Sequence, residues 1–181
     1  MALSEQDLIR RVAESHDRHA FGELVRMHQS QLRFSLRQLT GWDEALADDL
    51  AQETFIRAWK SIGQFRGDSK FFTWLYRIAY NCFAGHHRAR KPEEPADDEF
   101  LERHGGTSDH SIDLHRDFAL ALAQFPPQQR MALHLHMQRE MTHEEIATLL
   151  ECPLGTVKSH ILRGREKLQE KLSAWRTGDD A

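Results

Sequence analysis

Apolar residues recur at steps of three and four along most of this chain, and no stretch alternates apolar and polar residues over a useful length. Between Ala20 and Gly41, for example, Leu24, Leu32 and Leu36 fall on one face of a helix. A glycine just beyond the last apolar position is typical of a helix end, because glycine adopts a left-handed conformation at little cost. The pattern predicts an all-α fold without a β-sheet.

Capping residues, glycines and prolines divide this periodicity into eight predicted helices. The clearest start signal is the T-x-x-E capping box of Thr142 and Glu145, and Ser69 is the predicted cap of the fourth helix. The predicted helical segments are about 4–15, 20–40, 43–61, 69–89, 112–125, 128–139, 142–150 and 154–175.

Residues 92–112 interrupt the periodicity with prolines, paired glycines and a dense run of acids. Such a composition cannot bury enough apolar surface to form a core, and it predicts a flexible acidic linker. We therefore expect two small helical domains, at 1–91 and 113–181, joined by this linker.

The net charge of −4 hides three blocks of opposite sign. Residues 66–91 hold six basic residues and one acidic, and residues 154–176 hold six basic and two acidic. Residues 92–117 hold two basic and nine acidic. The basic blocks could contact nucleic acid, and the acidic block could be repelled from it or imitate it. A solubilising linker explains the acids equally well.

Several classes of protein are disfavoured by what the sequence lacks. No apolar run approaches the ~20 residues that span a bilayer, and the first residues do not resemble a signal peptide, so we expect a cytoplasmic protein. Cys82 and Cys152 form no CxxC pair, and the histidines show no ligand spacing. We expect no metal, no cofactor and no catalytic site.

The last two predicted helices have the spacing of a helix-turn-helix. About three residues separate them, small Ala147 lies where they must approach, and Val157 is a further inward contact. The second helix would present donors for phosphates and base edges. Its outward residues are Thr156, Lys158, Ser159, His160, Arg163 and Arg165. A helical hairpin with a basic, solvated face is the alternative.

The fourth predicted helix mixes aromatic and basic side chains, a combination that can stack on unpaired bases while neutralising their backbone. Aromatic residues at helical spacing also form cores, and Phe72 and Trp74 fit that interpretation. The exposed candidates are the loop before the helix and Tyr76, Arg77, Tyr80, Asn81 and Arg88.

Taken together, these motifs resemble the extracytoplasmic-function (ECF) sigma factors of bacterial RNA polymerase. The resemblance to sigma region 2 rests on 48–59 (DDLAQETFIRAW), 65–69 (FRGDS) and 73–81 (TWLYRIAYN). The resemblance to region 4 rests on 145–147 (EIA), 153–159 (PLGTVKS) and Arg163. Both occur in the family's order and at its distance, over about 20–91 and 115–175.

The resemblance implies roles for residues in three groups. Asp49, Gln52 and Glu53 would dock on the clamp helices of the largest polymerase subunit, although by pattern alone they could be a solvated helix face. The −10 element would be melted and read as a single strand by Phe65, Arg66, Tyr76, Arg77, Tyr80, Asn81 and Arg88. The duplex −35 element would be read by Thr156, Lys158, Ser159, His160, Leu162 and Arg163.

Two residues depart from the family's pattern. His160 stands where arginine is usual, which would make a phosphate contact depend on protonation. Glu151 stands in the turn where glycine is frequent.

The partners implied are core RNA polymerase through its two largest subunits, promoter DNA and an anti-sigma factor, with no membrane insertion. Two other functions remain open from the residues alone. One is a helix-turn-helix transcription regulator whose N-terminal domain senses or dimerises, and the other is an adaptor that does not bind DNA.

Overall fold

The computed structural model of the protein describes residues 3–90 and 110–178, with side-chain surroundings for 3–90 and 114–171. Within these ranges the regular elements are all helical, which confirms the predicted all-α fold. They are α1 (Glu5–Ser15), α2 (Arg18–Leu39), α3 (Glu44–Ser61), the short 3-10 turn η1 (Ile62–Gln64), α4 (Phe71–Ala89), α5 (His110–Ala123), α6 (Pro127–Arg139), α7 (His143–Leu150) and α8 (Leu154–Gly178).

The predicted linker at 92–112 lies outside the described residues as far as position 109, and α5 already begins at His110. The fourth helix starts later than predicted. Its N-cap is Lys70, and the hydroxyl of Ser69 donates to the Lys70 carbonyl oxygen instead of capping the helix. The start at Phe71 coincides with burial of that ring, which is only 3% exposed. The prediction of Ser69 as the cap is therefore wrong.

The other early helices begin on side chains that accept from first-turn N–H groups, as the cap rule expects. Ser4 accepts from the N–H of Asp7 at 3.1 Å, and Asp43 accepts from that of Leu46 at 2.9 Å. These caps fix where α1 and α3 start and hence which face of each helix turns inward.

The first four α-helices pack in chain order, α1 on α2, α2 on α3 and α3 on α4. Their core includes the buried side chains Leu24, Leu36, Leu50, Leu75 and Phe83. In the second half α6 contacts α7 and α8, and α5 contacts α6 and α8. The crossing of α6 and α8 is close, because a Cβ on Gly164 would lie 2.5 Å from Cδ1 of Leu133. Two small helical domains are thus present.

The two domains also contact each other. Helix α2 contacts α5 and α6, and α4 contacts α6 and α7. Gly41 follows α2 with a φ of +68°, and a Cβ there would lie 3.0 Å from Cβ of Ala123 at the end of α5. One apolar cluster runs through both domains, from Leu24 and Phe83 to Met131 and Val157.

Arg130 of α6 connects the domains through a guanidinium that is almost wholly buried. It donates to the carbonyl oxygen of Leu39 at 2.7 Å, to that of Phe125 at 3.1 Å and to that of Ala123. It also lies over the ring of Phe83, 5.5 Å from the ring centroid. Burial lowers the pKa of Arg130 to about 10, so it stays charged at neutral pH. The guanidinium satisfies the carbonyl groups at the C-terminal ends of α2 and α5, one helix from each domain.

Candidate nucleic-acid interface

Helices α7 and α8 have the predicted helix-turn-helix arrangement. Thr142 and Glu145 form the complete capping box, with 2.8 Å from the Thr142 N–H to the carboxylate and 3.2 Å from the Glu145 N–H to the hydroxyl. Glu151 ends α7 with a left-handed φ of 51°, and the N–H of Cys152 closes the turn on the Ala147 carbonyl oxygen. This turn directs α8 away from α7 within three residues.

The inward residues of α8 are those that the spacing predicts. Val157, Ile161 and Leu168 are all buried. The opposite face carries the residues predicted to contact −35 DNA, and Lys158, Leu162 and Arg163 are exposed there. Leu162 is 63% exposed on this face. Thr156, Ser159 and His160 are half-buried at the edge of this surface.

His160 is half-buried, and its backbone contacts α6. Its backbone carbonyl oxygen accepts a hydrogen bond of 3.2 Å from Nε2 of Gln129, on α6. Burial, with a smaller contribution from the Arg163 guanidinium, lowers the pKa of His160 below its ordinary value. The imidazole is therefore mainly neutral at pH 7, and a neutral imidazole binds phosphate more weakly than the guanidinium of an arginine.

The loop before α4 leads into an aromatic cluster. The ring of Phe65 lies 5.6 Å from that of Phe71 and 5.4 Å from that of Trp74, and Phe71 and Trp74 are 5.5 Å apart. Arg66 is exposed beside the cluster, and Gly67 turns the loop with a φ of +78°. The three rings pack edge-on or tilted against one another, and the half-buried Phe65 and Trp74 leave part of their surface open to a further planar group beside the exposed loop.

Along α4, Arg77, Asn81 and Arg88 are exposed and Tyr80 is half-buried. The prediction that Tyr76 is exposed is wrong, because only 2% of this residue is accessible. Its ring stacks on that of His134 of α6, at 6.0 Å between centroids and 13° between planes. Packing of the second domain on α4 is the cause, and no pattern local to α4 reveals it.

Helix α3 carries the three residues predicted to dock on the polymerase. Asp49 and Gln52 are exposed, while Glu53 is half-buried and forms a 2.5 Å ion pair with Arg57. Asp49 and Gln52 also form the rim of a groove between α2 and α3. Apolar residues form its floor, namely Phe21, Val25, Phe55, Ile56 and Trp59.

Sequence reasoning did not include this groove. Ile56 is 49% exposed and lies off the inward stripe of α3, which is the signal that could have indicated it. Arg33 and Asp48 also line the groove and pair with each other at 3.4 Å, which leaves the acidic side chain of Asp49 at the rim. An apolar floor with such a rim can bind a helix that presents both apolar and basic side chains.

Three further observations concern metal sites, the two cysteines and membrane-spanning helices. Among the described residues no three histidine, cysteine or acidic side chains lie close enough together to hold a metal ion. Cys82 is buried and Cys152 half-buried, both as free thiols. Over the same ranges no helix is long and apolar enough to cross a membrane.

A helix-turn-helix in one domain, with an aromatic and basic helix and an acidic helix face in the other, defines a two-domain transcription protein that binds DNA. The family model Sigma-70 region 2 matches residues 24–93, and Sigma-70, region 4 matches residues 115–168. The chain therefore belongs to the sigma-70 family, and it is an alternative sigma factor of the ECF group.

Relatives of known function match over nearly the whole chain. The RNA polymerase sigma-H factor of Pseudomonas aeruginosa is 35% identical over 193 aligned positions, covering 95% of this chain and 96% of that protein. The ECF RNA polymerase sigma-E factor of Haemophilus influenzae is 32% identical over 184 positions, covering 94% and 96%. Members of this family are transcription initiation factors. The matches to sigma regions in both domains favour this function over that of a conventional helix-turn-helix regulator.

Two solved structures are similar. CnrH in complex with the cytosolic domain of CnrY has a TM-score of 0.69 and 26% identity, covering 94% of this chain and 97% of that one. The sigma factor RpoE in complex with the anti-sigma factor NepR from Bartonella quintana has a TM-score of 0.64 and 26% identity, covering 84% and 96%. Coverage of 94% means that the likeness to CnrH extends over both domains.

Proposed function

We propose that this sigma factor binds core RNA polymerase through α3, captures the −10 strand with α4 and the loop before it, and reads the −35 duplex with α8. The observation that carries the proposal is the distribution of buried and exposed side chains on α8. Its inward residues are buried while Lys158, Leu162 and Arg163 are exposed on the opposite face, as a recognition helix requires. The domain bounds that we propose for these roles are 1–91 and 113–181.

The docking role rests on the surface between α2 and α3. Asp49 and Gln52 lie at the rim of the apolar groove, and Glu53 adds charge beside it. Charges at the rim steer a basic partner, while the apolar floor supplies contact area. We propose the largest polymerase subunit as the partner at this groove, and the second-largest subunit as a further contact of the bound factor.

The −10 role rests on the aromatic cluster of Phe65, Phe71 and Trp74 and on the exposed cations Arg66 and Arg88. Extruding a base costs a few kcal/mol, which stacking on the accessible parts of Phe65 and Trp74 would offset. Asn81 is exposed on the same helix and offers both a donor and an acceptor to a base edge.

The test is run-off transcription. Genomic fragments selected by binding to the assembled holoenzyme serve as templates for sigma-free core polymerase with and without the protein. The proposal predicts discrete products only when both are present. Replacing Lys158 and Arg163 by glutamine should abolish selection of −35 sequences.

A matched pair of variants tests the docking surface. Asp49→Lys should weaken assembly with core polymerase at least tenfold. Glu14→Lys makes the same change of charge at an exposed position of α1 and should leave assembly unchanged. Equal assembly by both variants would contradict the docking role of α3. The readout is the concentration of factor that half-saturates core polymerase in the run-off assay.

Two further proposals follow from the relatives. Because both similar structures are complexes with a second protein, which in one of them is the anti-sigma factor NepR, we propose that an anti-sigma factor also binds this chain. A protein retained from host lysate by the immobilised factor should suppress run-off when it is added back.

We also propose a cytoplasmic location for the factor, since the polymerase that it binds acts there. Fractionation of host cells tests this location.

A further inference from the structure

The loop that joins η1 to α4 is proposed to capture a base, and its position depends on how its two ends are held. We call residues 65–70 the −10 loop; the inference below rests on the proposed function of this loop. Residues 66–70 are all exposed, so the protein interior constrains little of the loop between its ends. Helix α1 has no part in the proposed function, yet it packs on both α2 and η1.

The first end of the −10 loop follows directly from η1. Ile62, the first residue of η1, is buried and belongs to the same apolar cluster as Leu8 and Val12 of α1. The N–H of Phe65 donates to the Ile62 carbonyl oxygen at 3.0 Å. Packing of α1 on η1 therefore fixes the backbone from which the Phe65 side chain extends.

The second end of the −10 loop is held through His28 of α2. The centroid of its imidazole lies 5.3 Å from that of the Phe71 ring and 5.8 Å from that of the Phe72 ring. These are the first two residues of α4, and Phe71 in turn contacts the rings of Phe65 and Trp74. The His28 side chain is only 11% exposed, so it supports the aromatic cluster from inside the domain.

Glu5 of α1 fixes the orientation of this imidazole. Its carboxylate lies 2.7 Å from Nε2 of His28, although the two residues are 23 positions apart in the chain. A carboxylate oxygen only accepts, so Nε2 carries the hydrogen of this bond. A ring that is both packed against other rings and hydrogen-bonded has little freedom to turn.

We propose that α1 is a positioning element for capture of the −10 strand, with Glu5 and His28 as its positioning residues. Glu5 holds the imidazole of His28, and the imidazole holds the ring of Phe71. That ring in turn keeps Phe65 and Trp74 in place for an incoming base. The same helix holds the other end of the loop through η1. Neither Glu5 nor His28 needs to contact DNA for this role.

The effect should appear in promoter melting and not in docking. The groove proposed to bind polymerase is lined by residues of α2 and α3 that include neither Glu5 nor His28. A displaced aromatic cluster stacks less well on an extruded base, which favours the closed duplex. Loss of the Glu5 acceptor should therefore shift the ratio of melted to closed complexes about three- to fivefold, the change that one hydrogen bond makes in an equilibrium.

The experiment measures melting by the assembled holoenzyme on promoter fragments that give run-off products with the wild type. Permanganate oxidises unpaired thymines, so its cleavage pattern gives the melted fraction at saturating holoenzyme, below the onset of thermal unfolding of each variant. Glu5→Ala removes the acceptor. Glu5→Gln removes the charge but retains an oxygen that can accept from His28. Glu14→Ala is the matched control, because it removes an exposed acid from the same helix.

Glu5→Ala should lower the ratio of melted to closed complexes about three- to fivefold, and Glu14→Ala should match the wild type. Glu5→Gln should recover most of the loss. If Glu5 acted only through its charge at the N-terminus of α1, both Glu5 variants would lose melting equally, and the proposal would be overturned. Half-saturation of core polymerase and binding of a −35 duplex should be the same for all of these proteins.

A double-mutant cycle tests whether Glu5 acts through His28. His28→Phe keeps a ring beside Phe71 but removes the donor, so adding Glu5→Ala to it should cause no further loss. Additive losses, or equal melting by Glu5→Ala and Glu14→Ala, would overturn the positioning role and leave the proposed function intact. Absence of reactive thymines with the wild type would overturn the proposed −10 role of the loop, and the positioning role with it.

Discussion

The helices proposed to read the −35 and −10 elements, α8 and α4, carry similar chemistry in different surroundings. Lys158 and Arg163 extend from α8 into solvent, whereas Tyr76 and Arg77 of α4 are engaged by the other domain. A duplex groove can be read from outside by one exposed helix, but a single strand needs a pocket, and a pocket can also be filled by the protein itself. The comparison shows that residue chemistry defines what a surface can bind, while packing defines when it can bind.

The largest expected effect comes from the residue that joins the two domains. Arg130→Met should destabilise the protein by roughly 3 kcal/mol, because the carbonyl groups of Leu39, Ala123 and Phe125 lose a charged donor. The same change should separate the domains and expose Tyr76 and Arg77 of α4. Urea unfolding measures the first effect, and the radius of gyration from small-angle scattering measures the second.

Arg165→Met is the control for this variant, because Arg165 is exposed on α8. Its unfolding free energy and radius of gyration should stay close to those of the wild type. If Arg130→Met were as compact and stable as Arg165→Met, the buried guanidinium would not be what joins α2 to α5.

The second effect is expected within the second domain, where α6 and α8 cross. Gly164→Ala should destabilise the protein by about 1–3 kcal/mol, because the added methyl group meets the buried side chain of Leu133 at the α6–α8 crossing. Gly155→Ala is the matched control on the same helix, since a Cβ there meets no atom within 4 Å. Thermal unfolding of the two variants decides, and an equal or higher melting temperature for Gly164→Ala would contradict the close crossing.

The third effect concerns the side chain that covers Tyr76. Burial, and less so Arg139, lowers the pKa of His134 to about 3. The unfolded chain therefore binds a proton below about pH 6.5 that the folded protein does not bind, so stability falls as pH falls. The contribution reaches about 1.4 kcal/mol per pH unit between pH 6 and 4.

His134→Phe should remove this dependence while keeping an aromatic ring against Tyr76. His87, whose pKa burial lowers to about 4, retains its own dependence in both proteins and accounts for a residual slope. Urea unfolding at pH 7, 6 and 5 gives the slopes. If the free energy of unfolding depended on pH equally in the variant and the wild type, His134 would be protonated without cost in the folded protein.

The smallest effect is at His160. His160→Arg should strengthen −35 duplex binding by about 1 kcal/mol at pH 7, because it replaces a neutral imidazole by a permanent charge. Wild-type affinity should rise as pH falls below the ordinary imidazole pKa, while that of the variant should not. Fluorescence titration at several pH values measures both, and identical pH profiles would exclude His160 from the interface.

Much of this fold was predictable because its signals are local. The capping box at Thr142 and Glu145 and the inward positions Val157 and Ile161 follow from spacing alone, and the structure confirms them. The start of α4 was predicted wrongly at Ser69 because its position depends on Phe71, whose ring packs on that of His28 in α2, with 5.3 Å between the ring centroids.

The sequence by itself determined the all-α class, the helix-turn-helix and the residue types of each proposed DNA-binding surface, because periodicity, caps and charge blocks act within a few residues. Only the tertiary structure decided that Tyr76 is buried against His134 and that Arg130 donates to Leu39, a residue 91 positions away. Contacts at such separations depend on how two finished domains pack, and that packing leaves no periodic signal in either domain.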